Sequence, residues 1–106
     1  MNPETRLFID GELCAAASGK TYDNINPATE EVMGQVADAG PEDMDRAIAA
    51  ARRAFDGTDW STNHAFRLKC LQQLQQGLRA VQEDFKQQIA AETGSPVLPK
   101  ELEGAL

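Results

Sequence analysis

Large apolar side chains are scarce in this sequence of 106 residues. It contains nine Leu, four Ile, four Val and four Phe, 21 residues in all, which is close to the content of roughly 20% below which chains struggle to fold. Sixteen alanines supply much of the remaining apolar composition, and alanine favours helices more than it fills a core. We therefore expect a single incomplete domain that packs against a larger structure.

Basic residues and long apolar runs are also in short supply. Ten Lys and Arg stand against seventeen Asp and Glu, which gives a net charge of −7 and a pI near 4.5. Nucleic acids and anionic membranes both require a positive surface, so neither is an expected partner. No apolar run approaches the roughly 18 residues of a membrane span, and residues 1–12 lack the basic start and apolar centre of a secretion signal. The sequence thus predicts a cytoplasmic protein.

Cysteine and histidine are too few to suggest a metal centre or a nucleophile. Cys14 and Cys70 lie far apart with no second pair beside them, so we predict two free, reduced thiols. His64 is the only histidine and stands six positions before Cys70. Because residues six apart lie on different faces of a helix, a Cys–His nucleophile pair is not expected.

The remaining catalytic patterns are missing as well. Glu30 and Glu31 are adjacent in a turn, where their side chains point in different directions and are solvated. Gly34 and Gly40 do not form the glycine-rich loop that binds a dinucleotide. Composition and spacing therefore predict no catalytic residue and no cofactor-binding residue.

Two short strand pairs are predicted in the first 39 residues. Apolar residues flank Asp10 and Gly11 within the segment Leu7–Leu13, which is the signature of a tight hairpin. The segment Thr21–Ala39 predicts a second pair joined by a turn that contains Asn26 and Pro27. In its second strand, Val32, Gly34 and Val36 alternate with Met33, Gln35 and Ala37. A pair this small is not stable alone in water, so other elements must cover it.

Two helices are predicted to follow. The first runs from Pro41 to about Phe55, with Gly40 as its N-cap and acidic residues in its first turn. The second starts after a cap at Ser61, Thr62 or Asn63 and ends at Gly94, a length of about 30 residues, or about 45 Å. Its apolar residues recur at steps of three and four: Leu71, Leu74, Leu78, Val81, Phe85 and Ile89.

The order of these segments resembles the N-terminal portion of the aldehyde dehydrogenase superfamily. The similar stretches are LFIDGEL, SGKTYDNINPATEEVMGQVADAGPEDMDRAIAAARRAFD, DWS followed by Arg67, and AAETGSP, which together cover Leu7 to about Pro96. Residues 97–106 match poorly. The resemblance implies an α/β parent fold, within which residues 1–106 form the N-terminal part of the cofactor-binding domain.

The resemblance also implies a function for the parent enzyme. Members of the family oxidise an aldehyde to a carboxylic acid with NAD or NADP, through a catalytic cysteine. The cysteine, the glutamate base, the oxyanion-hole asparagine and the cofactor-binding segment all come later in the family's sequence, and neither Cys14 nor Cys70 lies in a similar motif. We therefore expect this chain to be scaffold, to be catalytically silent and to bind no cofactor by itself. Its expected partners are the remainder of the fold and, in the parent, further copies of the enzyme.

One binding site is carried over from the resemblance. Many members bind a monovalent cation through two backbone carbonyls before the NP turn and an acidic residue before TG, which correspond to Asn24, Ile25 and Glu92. Oxygen ligands suit a hard cation. The alternative is that Asn24 and Ile25 only end a strand and Glu92 lies on the surface. The family usually has glycine where Glu30 stands, and lysine where Ser95 stands.

Two other readings compete with the enzyme fragment. The face from Leu71 to Ile89 also suits a freestanding helical interaction or oligomerisation module, although Gly77 in its middle favours a helix packed on its own protein. A truncated, largely unfolded gene product is the third possibility, which a well-dispersed amide spectrum would exclude.

Overall fold

The chain begins with a tight β-hairpin. A computed structural model describes residues 4–96; residues 97–106, expected to match the family poorly, lie outside this range. Strands β1 (Leu7–Ile9) and β2 (Glu12–Cys14) pair antiparallel. Asp10 and Gly11 join them with φ angles of 56° and 80°, as a two-residue turn with both central φ values positive requires. The predicted hairpin is confirmed.

A second antiparallel pair follows, with an irregularity that the sequence did not predict. Strand β3 (Thr21–Ile25) pairs with β4 (Val32–Ala37), and the register shifts between Asn24, opposite Gly34, and Ile25, opposite Val32. The extra residue of β4 interrupts the two-residue alternation. The predicted faces are therefore wrong in detail, because the half-buried positions of β4 are Met33, Val36 and Ala37.

The turn between β3 and β4 is organised by Asn26. Its side-chain oxygen accepts hydrogen bonds from the backbone N–H groups of Ala28 at 2.8 Å and Thr29 at 3.3 Å. Its backbone pairs with Glu30 N–H at 2.8 Å and with the Glu31 carbonyl at 2.9 Å. Glu30 adopts a left-handed φ of 61°. The turn thus keeps a glycine-like conformation with a glutamate in place.

Helix α1 (Pro41–Gly57) begins as predicted and ends two residues later than Phe55. Gly40 is the N-cap and Pro41 occupies the first helical position, where its missing N–H costs nothing. The Asp43 carboxylate accepts from the Gly40 N–H at 3.0 Å. At the other end, the Thr58 hydroxyl donates to the Ala54 carbonyl at 2.6 Å, which extends the bonding of the last turn.

The prediction of a single long second helix is wrong, because two helices occupy this stretch. Helix α2 (His64–Ala80) and helix α3 (Gln82–Thr93) meet at Val81, whose φ of −114° and ψ of 14° leave the helical region. The Val81 N–H bonds to the Leu78 carbonyl at 3.3 Å, which tightens the turn. A β-branched residue at this point, followed by two acidic residues in the first turn of α3, favours a new helix start.

Caps define the outer ends of this helix pair. The Asn63 side chain accepts from the Phe66 N–H at 3.0 Å, so the third of the three predicted caps is the one used. Gly94 ends α3 in the left-handed conformation, with φ at 70° and its N–H bonded to the Ala90 carbonyl at 3.0 Å. The predicted end of the helix at Gly94 is confirmed.

Little apolar volume is buried in the described part of the chain. Within residues 4–96, the only buried apolar residues are Ala16 and Ala50. On α1, the large apolar side chains of Met44, Ile48 and Phe55 are exposed, whereas Asp43 and Ala50 are buried. Polar contacts join distant segments of the chain, among them Asp43 with Ala17 and Asn24 with Glu92.

Candidate functional site

The end of β3 and the last turn of α3 meet through a side-chain contact. The Asn24 Nδ2 group donates to Glu92 Oε1 at 3.0 Å, across 68 positions of sequence. Gln88, one turn earlier on α3, donates to the same oxygen at 2.6 Å. Two of the three residues proposed to hold a cation are therefore neighbours in the structure.

A shallow cleft of about 60 Å³ lies at this contact. It is lined by Glu4, Thr5, Asn24, Met33, Gly34, Gln35, Val36, Gln88 and Glu92. Ile25 is not part of this lining and has 51% of its surface exposed. The sequence did not point to Glu4, which comes from the segment before β1 and adds a second carboxylate to the cleft.

Glu4 is held in its charged form. The Arg6 side chain donates to Glu4 Oε1 at 2.8 Å, and the Arg6 backbone N–H donates to the same oxygen at 3.0 Å. These bonds, first the side-chain bond and then the backbone bond, lower the pKa of the Glu4 carboxyl to about 2. Glu4 therefore stays ionised below the pH at which an ordinary glutamate takes up a proton, and its charge is paired with that of Arg6.

The oxygen atoms at this contact are suitable ligands for a hard cation, but the amide hydrogen bonds to Glu92 are not arranged for one. Carboxylate and carbonyl oxygens are the ligands that such ions prefer. Glu92 Oε1, however, already accepts from the amide N–H groups of Asn24 and Gln88, so these donors would compete with a cation for that oxygen. Across residues 4–96 there is no group of three or more His, Cys, Asp or Glu side chains placed to hold a metal ion.

The histidine and the two cysteines do not form a catalytic pair. His64 Nδ1 contacts the guanidinium of Arg67 rather than a thiol. Cys14 and Cys70 are both free and half-buried, and Cys14 Sγ lies 3.9 Å from Arg46 Nη2. This arrangement supplies no activated nucleophile of the Cys–His kind.

Asp43 is a second residue whose role sequence reasoning missed. Its side chain is 2% exposed and accepts from the Ala17 N–H at 3.0 Å and 3.2 Å, besides the Gly40 bond. Arg46 Nη1 lies 3.5 Å from the same carboxylate. An acidic residue in the first turn of a helix was visible in the sequence, but its contact with a loop 26 positions away was not.

Comparison with known proteins identifies the family. The model of the family described as "Aldehyde dehydrogenase family" matches residues 14–103. The chain belongs to the aldehyde dehydrogenase family. It is 36% identical over 95 residues to the NADP/NAD-dependent aldehyde dehydrogenase PuuC of Escherichia coli, covering 89% of this chain and 19% of that protein. A putative aldehyde dehydrogenase of Bacillus subtilis, DhaS, is 34% identical over 93 residues, covering 87% and 19%.

Solved structures of the family have the same fold over this segment. Betaine aldehyde dehydrogenase of Staphylococcus aureus, in complex with NAD⁺, superimposes with a TM-score of 0.84 at 35% identity, covering 89% of this chain and 19% of that one. This chain therefore spans about a fifth of the length of these relatives. The predicted resemblance to the N-terminal segment of the family is confirmed, as is the α/β fold class.

Proposed function

We propose that this chain is the N-terminal part of the cofactor-binding domain of an NAD(P)-dependent aldehyde dehydrogenase, which converts an aldehyde to a carboxylic acid. In this role the chain is scaffold, binds no cofactor by itself and carries no catalytic residue. Its membership of the family supports the reaction class. PuuC is named for NADP and NAD, and the Staphylococcus aureus relative is a complex with NAD⁺.

The observation that carries the scaffold proposal is the amount of exposed apolar surface. Sixteen large apolar side chains are exposed in residues 4–96, whereas the two buried apolar residues are alanines. Burying apolar surface contributes about 25 cal/mol per Å², so alanines alone stabilise little. In the full enzyme, the remainder of the family fold would pack against these side chains and bury them.

We place that enzyme in the cytoplasm, as a homo-oligomer. Among residues 4–96, no helix has the length and apolar character that crossing a membrane demands.

The monovalent cation site stays part of the proposal for the full enzyme. Backbone carbonyls of Asn24 and Ile25 and the Glu92 carboxylate would hold the ion. The closeness of Asn24 and Glu92, which are 68 positions apart in sequence, supports this assignment. The ion would tie the end of β3 to α3. We expect Na⁺ or K⁺ to raise the melting temperature of the full enzyme, and we expect Glu92→Gln to abolish this rise. A shift that is unchanged in Glu92→Gln would contradict the assignment.

A fusion protein tests the scaffold role. Residues 1–96 of this chain replace the matching segment of the Staphylococcus aureus betaine aldehyde dehydrogenase, and NAD-dependent oxidation of betaine aldehyde is measured. The fusion is expected to be active, because the two segments share one fold. Leu71→Glu in the fusion should lower the yield of soluble enzyme by placing a charge under the covering chain. Gln73→Glu, on the other side of α2, is the matched control and should not. A well-folded fusion without activity would contradict the proposal.

The second candidate function is a helical interaction or oligomerisation module that uses the face from Leu71 to Ile89. The exposure of Leu71, Leu74 and Leu78, at 61%, 58% and 49%, favours it. A contiguous patch of exposed apolar side chains is typical of a protein–protein interface. Sedimentation of the purified chain distinguishes the two candidates. An oligomer that Leu74→Glu dissociates and Gln73→Glu preserves would support the module, and a monodisperse monomer that melts cooperatively would argue against it.

A further inference from the structure

No further inference is drawn: the strongest candidate, the exposed apolar face of α2 formed by Leu71, Leu74 and Leu78, carries nothing because the described residues do not show what covers it.

Discussion

Asp43 binds the backbone of Ala17 and so joins the loop before β3 to the first turn of α1. Its two carboxylate oxygens lie 3.0 Å and 3.2 Å from the Ala17 nitrogen, and the carboxylate is 2% exposed. Ala16, beside this contact, is one of the two buried apolar residues of the described chain. A single carboxylate therefore fixes both a helix start and a long-range loop contact.

Removing this carboxylate should loosen the loop. Asp43→Ala leaves the N–H groups of Ala17 and Gly40 without their acceptor, and losing such charge-assisted bonds costs about 2–4 kcal/mol. Hydrogen exchange of the Ala17 amide measures the effect directly and does not require two-state unfolding. Asp45→Ala, an exposed change in the same turn, is the control and should leave that exchange rate unchanged. Equal rates in both variants would show that the contact is not formed in solution.

The left-handed backbone at Glu30 predicts a stabilising substitution. A side chain at a φ of 61° costs about 1–2 kcal/mol, and glycine avoids this cost while losing some chain entropy. Glu30→Gly should therefore raise the free energy of unfolding by about 0.5–1 kcal/mol. Glu31→Gly is the matched control, because Glu31 lacks a positive φ, and it should lower the same quantity. Urea denaturation of both variants makes the comparison, and destabilisation by Glu30→Gly would refute the turn geometry.

Two glycines in the helical region should respond to alanine in opposite directions. Gly94 has a φ of 70°, and a Cβ atom there would lie 3.2 Å from Pro27 Cγ, so Gly94→Ala should destabilise the chain by about 1–2 kcal/mol. Gly77 lies within α2 and has open space around it, so Gly77→Ala should stabilise by about 0.5–1 kcal/mol. Thermal unfolding checks both. Stabilisation by Gly94→Ala would show that the end of α3 is misplaced, and destabilisation by Gly77→Ala would contradict the open space around Gly77.

The first residues of the described chain should show an unusual titration. The Arg6 bonds lower the pKa of Glu4 from 4.5 to about 2. A depressed pKa means that the stabilising contribution is present above pH 4.5 and is lost as the pH falls toward about 2. The carboxyl carbon shift of Glu4, followed by NMR, should have its midpoint near the lower value in the wild-type chain and move upward in Arg6→Gln. An unshifted midpoint in the wild type would contradict the Glu4–Arg6 pairing.

The elements that the sequence predicted well depend on signals that act over a few residues. Asp10 and Gly11 define a hairpin, and Gly94 ends a helix, because each sets its own φ. The break at Val81 was missed because the apolar period continues through it unchanged. The local features that favour the break are the β-branched side chain of Val81 and the acidic residues Glu83 and Asp84 in the first turn of α3.

Contacts between distant segments could not be predicted from periodicity. Asp43 reaches Ala17, and Arg53 reaches Asp10 at 2.8 Å, only because the fold brings α1 beside the first hairpin. The proximity of Asn24 and Glu92 was anticipated through the family resemblance alone, since nothing in their own spacing indicates it. Glu4 was missed in the same cleft, because the segment before β1 shows no pattern that would place it there.

The central claim, that this chain is family scaffold without chemistry of its own, is tested most directly by a dehydrogenase assay of the purified chain. Short aldehydes are supplied with NAD or NADP, and formation of the reduced cofactor is followed, with full-length PuuC as the positive control. We predict no turnover, and the same result for a variant in which Cys14 and Cys70 are both replaced by alanine. Aldehyde-dependent cofactor reduction by the wild-type chain that disappears in the double variant would contradict the account.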